Sequence, residues 1–177
     1  MKNSEKMLSA IEAQDLVQAE QWFEKALLED SDSILLDLAE YLESIGFFLQ
    51  AKRIYNKLAP LYPQVNLNLA AIASEDGDLE EAFGYLEEIR SNDPWYVNAL
   101  LIKADLYQME GLPDVAREKL VEASQLSDDP IITFGMAEID FELGNFTQAV
   151  KEYASLDNRT IYEQTGISTY QRIGVSY

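Results

Sequence analysis

Apolar and polar residues alternate along the chain with a helical period, and short polar stretches interrupt this pattern at regular intervals. In SILLDLAEYLES, residues 33–44, apolar residues recur every three or four positions, as on one face of an α-helix. Gly46 follows this segment. A glycine just past a periodic segment is typical of a helix end, where the backbone adopts a left-handed conformation. The pattern therefore predicts a succession of helices joined by tight turns.

The interrupting stretches are copies of one repeat. Each copy has a glycine, an alanine seven residues before it and another alanine five residues after it. The four sets are Ala39, Gly46 and Ala51; Ala70, Gly77 and Ala82; Ala104, Gly111 and Ala116; and Ala137, Gly144 and Ala149. The first alanines are spaced by 31, 34 and 33 residues. Met7, Gln14 and Ala19 fill the same positions in a first copy that lacks the glycine.

Each copy is predicted to form a hairpin of two antiparallel helices. A small residue at a fixed position in each helix allows the two helices to approach closely. Pro63, Pro94 and Pro130 occur where one hairpin ends and the next begins, as suits a residue tolerated in a first helical turn. The predicted repeats lie near residues 1–31, 32–62, 63–96, 97–129 and 130–160.

This arrangement resembles the tetratricopeptide repeat family, which has a period of about 34 residues. The resemblance covers residues 2–156 and departs from the family pattern at the aromatic position three residues after the first-helix alanine. That position holds Leu42, Ala73, Tyr107 and Asp140. The resemblance implies an all-α fold, a right-handed superhelical solenoid of stacked hairpins. It also implies one domain over residues 1–177, as part of a longer protein.

The resemblance further implies that partners bind first-helix residues on the concave surface. Carried onto this chain, the partner-binding positions are Leu36, Glu40, Glu43, Leu67, Ala71, Leu101, Asp105, Gln108, Met109, Phe134, Glu138 and Phe141. Because this set contains acids but no Lys or Arg, the expected ligand is a basic and apolar segment of a protein partner. The set also argues against binding of carboxylate-ended chaperone tails, which require cationic side chains. The alternative is that the apolar members are buried and the acids only keep a face soluble.

Composition narrows the function further. With 32 Asp and Glu against 13 Lys and Arg, the formal net charge is −19, which disfavours nucleic acid and anionic membrane surfaces as partners. The absence of cysteine and histidine removes the commonest zinc ligands and the commonest general base. We therefore expect no enzyme activity, no metal and no cofactor. The start of the chain has no apolar signal region, so a cytoplasmic location is expected.

The acid-rich stretch SEDGDLEEAF, residues 74–83, allows two interpretations. A calcium loop of the EF-hand type would need its glycine at the sixth position, whereas Gly77 directly follows Asp76. In the repeat, the same stretch is the end of one helix, a turn and the start of the next. Asp78 and Glu80 then lie at a helix N-terminus, where acidic side chains are stabilising. We favour the turn.

The segment STYQRIGVSY, residues 168–177, resembles the first helix of a sixth copy with Gly174 in the small position. Residues 161–177 are therefore predicted to begin a sixth repeat or to form a capping helix on the fifth copy, around Phe146, Val150 and Tyr153. The half-finished repeat favours a chain that is part of a longer protein, and pairing of two chains through this end is the alternative. Two other functions thus remain open beside a binding scaffold: a self-associating structural stack, and the regulatory repeat region of a longer protein whose activity lies elsewhere.

Overall fold

The computed structural model describes residues 1–176, with side chains up to Gly174. Within this range the chain forms twelve helices and no strand. They are α1 (Asn3–Glu12), α2 (Leu16–Glu29), α3 (Asp32–Ser44), α4 (Phe48–Leu58), α5 (Val65–Glu75), α6 (Leu79–Glu87), α7 (Tyr96–Met109), α8 (Pro113–Ser124), α9 (Pro130–Glu142), α10 (Phe146–Ala154), α11 (Asn158–Thr165) and α12 (Thr169–Ser176). The prediction of an all-α chain is confirmed.

The first ten helices form five hairpins, each made of an odd-numbered helix packed on the even-numbered helix that follows it. One hairpin lies in each predicted repeat, except that α7 begins at Tyr96, one residue before the predicted boundary. Pro113 and Pro130 occupy the first turns of α8 and α9, where the missing N–H breaks no helical hydrogen bond.

The turn inside each hairpin closes with the same hydrogen bonds. In the third hairpin, the Gly77 N–H donates to the Ser74 carbonyl (3.0 Å) and the Asp78 N–H donates to the Ala73 carbonyl (2.9 Å). This Schellman arrangement requires a left-handed residue. The four turn glycines have φ between +75° and +83°, and Gln14 has φ +60° at the same place in the first hairpin. Gln14 therefore occupies the turn position that the repeat assigns to it.

The eight alanines of the repeat positions are all at most 1% exposed. Each lies on the side of its helix that faces a neighbouring helix. A larger side chain at this position would hold the two backbones apart. Larger residues fill the remaining space between helices, and Phe23, Tyr55 and Tyr153 are among the largest fully buried side chains.

The chain divides into two compact units, one over Met1–Glu88 and a second that begins at Ile89. An apolar core of the first unit includes Phe23, Leu42 and Tyr55. In the second unit, one core surrounds Leu100, Leu120 and Ile139, and another holds Phe134, Tyr153 and Ile161. The prediction of a single domain over residues 1–177 stays a prediction.

The segment after the fifth hairpin forms two short helices where the sequence pattern indicates one. Gly166 ends α11 in a left-handed conformation, and α12 follows. Ile161 is fully buried, and Ile167 and Ile173 pack against the same core as Tyr153, whereas Phe146 remains 45% exposed. The assignment of residues 161–177 to a sixth repeat or a capping helix stays a prediction. Tyr177, which belongs to the predicted sixth copy, lies outside the described residues, as does the side chain of Val175.

Candidate partner-binding faces

The predicted binding residues of the first unit lie on α3 and α5. On α3, Leu36 and Glu40 are four residues apart and so lie one above the other on the same face. Leu36 is half-buried and Glu40 is exposed. On α5, Leu67 and Ala71 have the same spacing and are both half-buried. In this unit the predicted face thus presents partly accessible apolar side chains beside a carboxylate.

Glu43, the third predicted residue of α3, is held by internal hydrogen bonds. The Tyr55 hydroxyl donates to Glu43 Oε2 at 2.7 Å, and Asn68 Nδ2 donates to the same oxygen at 3.3 Å. Burial, followed by the hydrogen bond to Glu43, raises the pKa of Tyr55. Glu43 therefore joins α3 to α4 and α5, a role that requires no partner.

In the second unit, α7 carries a stripe of predicted residues spaced four apart, Leu101, Asp105 and Met109. Leu101 is half-buried, whereas Asp105 and Met109 are exposed, Met109 to 60%. Partial desolvation raises the pKa of the Asp105 carboxyl although the side chain still contacts solvent. Gln108, the remaining predicted residue of α7, reaches Glu142 on α9 at 3.4 Å.

Glu138 on α9 is engaged from two sides. The Tyr153 hydroxyl donates to its Oε1, and Arg172 Nη2 donates to its Oε2 at 2.8 Å. The same guanidinium lies 6.0 Å from the ring centroid of Phe141, another predicted binding residue. The last helix thus places a cation against a carboxylate and an aromatic ring on the α9 face, which is the chemistry expected of the ligand.

Phe134 differs from the other apolar residues of the predicted set. It is 6% exposed, and its ring lies 6.1 Å from that of Tyr153 in a tilted arrangement. This burial fits the alternative interpretation in which the apolar members pack against neighbouring helices. Leu36, Leu67 and Leu101 keep part of their surface accessible.

A polar cluster that the sequence did not indicate joins α8, α9 and α10. Arg117 pairs with Asp140 at 2.7 Å and with Glu152 at 2.9 Å, and both carboxylates are buried. Gln148 donates to Glu152 Oε1, whereas Glu152 Oε2 is buried without a hydrogen-bond partner among the described residues. Burial raises the pKa of Glu152 because it penalises the charged form.

The structure also settles the role of SEDGDLEEAF. Residues up to Glu75 belong to α5, and Asp78 caps α6 by accepting a hydrogen bond from the Glu81 N–H at 2.9 Å. The turn interpretation is confirmed. Across residues 1–176, no group of three or more acidic side chains is arranged to hold a metal ion. No helix in this range is both long enough and apolar enough to cross a membrane.

Comparison with known proteins agrees with this hairpin repeat. Residues 108–161 match the family model described as YpiA-like, tetratricopeptide repeats. The TPR repeat-containing protein YpiA of Bacillus subtilis (strain 168) is 32% identical over 160 residues, which cover 86% of this chain and 36% of that protein. The chain thus spans about a third of the length of this curated relative.

Solved structures show the same fold. TTC0263, a thermophilic TPR protein in Thermus thermophilus, is similar with a TM-score of 0.60 at 22% identity, covering 98% of this chain and 96% of that one. YrrB, described as a TPR protein with an unusual peptide-binding site, has a TM-score of 0.60 at 17% identity, covering 88% and 81%. The match to the YpiA-like family model and the 32% identity to YpiA, together with five hairpins that share one turn and one set of buried alanines, show that the chain belongs to the tetratricopeptide repeat family.

Proposed function

We propose that the chain is a protein-binding module that recognises a basic and apolar segment of a partner through its first-helix faces. Membership of the tetratricopeptide repeat family implies a protein–protein interaction scaffold, and members are generally not enzymes. The class of ligand and the residues that contact it are our inference from this chain.

The observation that supports the proposal most is the stripe on α7. An exposed carboxylate, Asp105, lies between half-buried Leu101 and exposed Met109. A basic side chain of a partner would pair with Asp105 while a neighbouring apolar side chain of the same segment covers Met109. Among residues 1–174, neither Asp105 nor Glu40 has an ion-pair partner within the chain.

Arg172 supports the choice of a cationic ligand. Its guanidinium already lies on Glu138 and near Phe141, so the α9 face accommodates a cation beside an aromatic ring. Arg172 pairs with Glu138, and Glu43 accepts hydrogen bonds from Tyr55 and Asn68. The exposed acids of the predicted set are therefore Glu40 in the first unit and Asp105 in the second.

The test uses a fluorescently labelled peptide of alternating Lys and Leu, with a Glu and Leu peptide of equal length for comparison. We expect the Lys peptide to bind, its affinity to fall with added salt, and both Glu40→Lys and Asp105→Lys to weaken it. Glu118→Lys is the matched control, because Glu118 is exposed on the second helix α8 and lies outside the predicted faces. Equal weakening by all three changes would show that only net charge matters and would contradict the proposal.

A further inference from the structure

A large cavity of the first unit lies between α4 and α6. Its volume is about 610 Å³, within the range of about 300–1,000 Å³ typical of ligand pockets. Asn56 and Pro60 border it on one side, and Glu81, Tyr85 and Glu88 border it on the side of α6. None of these residues belongs to the predicted first-helix set, so the cavity is separate from the faces described above.

Gly84 forms part of the cavity wall, and nothing in the fold accounts for a glycine there. It lies inside α6, where glycine is less favourable than alanine by about 1 kcal/mol. Its φ is not positive, so the backbone does not require it. A Cβ added to Gly84 would meet no atom within 4 Å, so packing does not require it either. The missing side chain leaves open the space in front of the helix, and that space is the cavity.

The groups around the cavity suit a cation. Glu88 is exposed at its edge, and among residues 1–174 no Lys or Arg pairs with it. The cavity wall already binds one cation of the chain itself. Lys52 Nζ lies 2.7 Å from Glu81 Oε2 and 5.9 Å from the ring centroid of Tyr85. The Tyr85 hydroxyl donates to the other oxygen of Glu81 at 3.0 Å, which fixes the ring beside the opening.

We propose that this cavity is a second anchor site, which receives one lysine or arginine side chain of a protein partner along the backbone of α6 at Gly84. The aliphatic part of the inserted side chain would lie against Pro60 and the Tyr85 ring, and its charged end would pair with Glu88. The inference depends on the proposed function only in taking the partner to be basic. It concerns a different surface.

The experiment is a titration followed by NMR, with the capped peptide Ac-Ala-Ala-Lys-Ala-Ala-amide, its arginine counterpart and its norleucine counterpart as probes. We expect saturable shifts of the Gly84 and Tyr85 amides with the lysine or the arginine peptide and none with norleucine. The stronger of the two cationic probes identifies which side chain the cavity prefers. Equal shifts with norleucine would overturn the proposal, because they would show apolar contact without charge recognition.

Two variants separate the cavity from general electrostatics. Gly84→Leu fills the opening, so it should abolish the shifts while raising the melting temperature by about 2–4 °C, since leucine favours a helix more than glycine does. Glu88→Gln should weaken binding about two- to fivefold, as expected for loss of an exposed ion pair, whereas Glu80→Gln on the same helix should not. Binding that survives Gly84→Leu, or that falls equally with Glu80→Gln, would refute the site.

The variants that test the proposed function also distinguish its failure from failure of this site. Glu40→Lys and Asp105→Lys alter the first-helix faces and should leave the shifts at Gly84 unchanged. If those two variants abolish the shifts at Gly84 as strongly as Gly84→Leu does, the anchor site is wrong even where the first-helix faces bind as proposed.

Discussion

Replacing Gln14 by glycine should stabilise the protein. Gln14 holds φ +60° in the turn where the other four hairpins have glycine. A residue with a side chain loses about 1–2 kcal/mol in the left-handed conformation relative to its preferred one. Glycine has greater conformational freedom in the unfolded chain, which lowers the free energy of unfolding by about 0.4–1 kcal/mol and offsets part of the gain. The expected net gain for Gln14→Gly is therefore about 1 kcal/mol.

The reverse change at the equivalent position should have the opposite sign. Gly77 has φ +82°, and a Cβ added there would meet no atom within 4 Å. Gly77→Ala therefore tests backbone conformation without a steric clash, and we expect it to cost about 1 kcal/mol. Both positions lie in the unit over Met1–Glu88, so the two effects are read from the same part of the chain.

Urea unfolding followed by circular dichroism measures both changes. With a slope of about 1–3 kcal/mol per molar, a change of about 1 kcal/mol moves the midpoint by about 0.3–1 M. Ala13→Gly is the matched control, because Ala13 is right-handed at φ −77° and gains nothing from glycine. A neutral or destabilising Gln14→Gly beside a costly Gly77→Ala would refute the reasoning, since it would show that the Gln14 side chain stabilises the turn.

Three further predictions concern packing, titration and the end of the chain. Ala104→Leu should destabilise by about 1–3 kcal/mol because Ala104 is 1% exposed at a helix crossing, whereas exposed Glu110→Ala should cost much less; thermal melts that give equal losses would contradict the repeat register. Burial raises the pKa of Glu152, so the native state keeps its proton to higher pH than the unfolded chain does, and stability should fall as pH rises above the ordinary glutamate pKa. Glu152→Gln should lack this fall in melts recorded from about pH 4 upward. An unchanged profile in the variant would show that Glu152 is not its source. Deleting residues 165–177 should lower stability and raise aggregation, because Ile167 and Ile173 cover the core around Tyr153; an equally stable monomer in melts and sedimentation would show that the segment is dispensable.

The hairpins could be predicted because their determinants are local and repeated. A buried alanine and a left-handed glycine each follow from a constraint on one position, the first from close helix approach and the second from the turn. Five copies at similar spacing make each weak signal stronger, and even Gln14 was placed correctly by its neighbours. The start of α11 at Asn158 and its separation from α12 were missed because α11 belongs to no repeat. Its local signals, Asp157 accepting a hydrogen bond from the Thr160 N–H at its start and Gly166 at its end, were present in the sequence.

The cluster of Arg117, Asp140 and Glu152 could not be predicted in the same way. Its members come from three helices. They meet because α8 of the fourth hairpin packs on α9 of the fifth, and Arg117 on α8 also reaches Glu152 on α10. A change of one residue in the register of any of these helices would turn a member away from the others. Asp140 also occupies the position where the family pattern often has an aromatic residue, so the departure noted in the sequence marks this cluster.

The same consideration changes how the charge of the predicted faces is understood. In the sequence, Glu40, Asp105 and Glu138 occupy the same repeat position, directly after the first-helix alanine, on α3, α7 and α9. In the structure, Arg172 binds Glu138 from 34 residues further along the chain and so removes one of the three as an attraction for a partner. An ion pair of this kind depends on tertiary packing. The exposure of Glu40 and Asp105 follows instead from their positions on the first helices, directly after a buried alanine. Selectivity for a basic partner should therefore depend on these two acids, and a variant that also changes Glu138 would combine loss of binding with loss of the Arg172 pair.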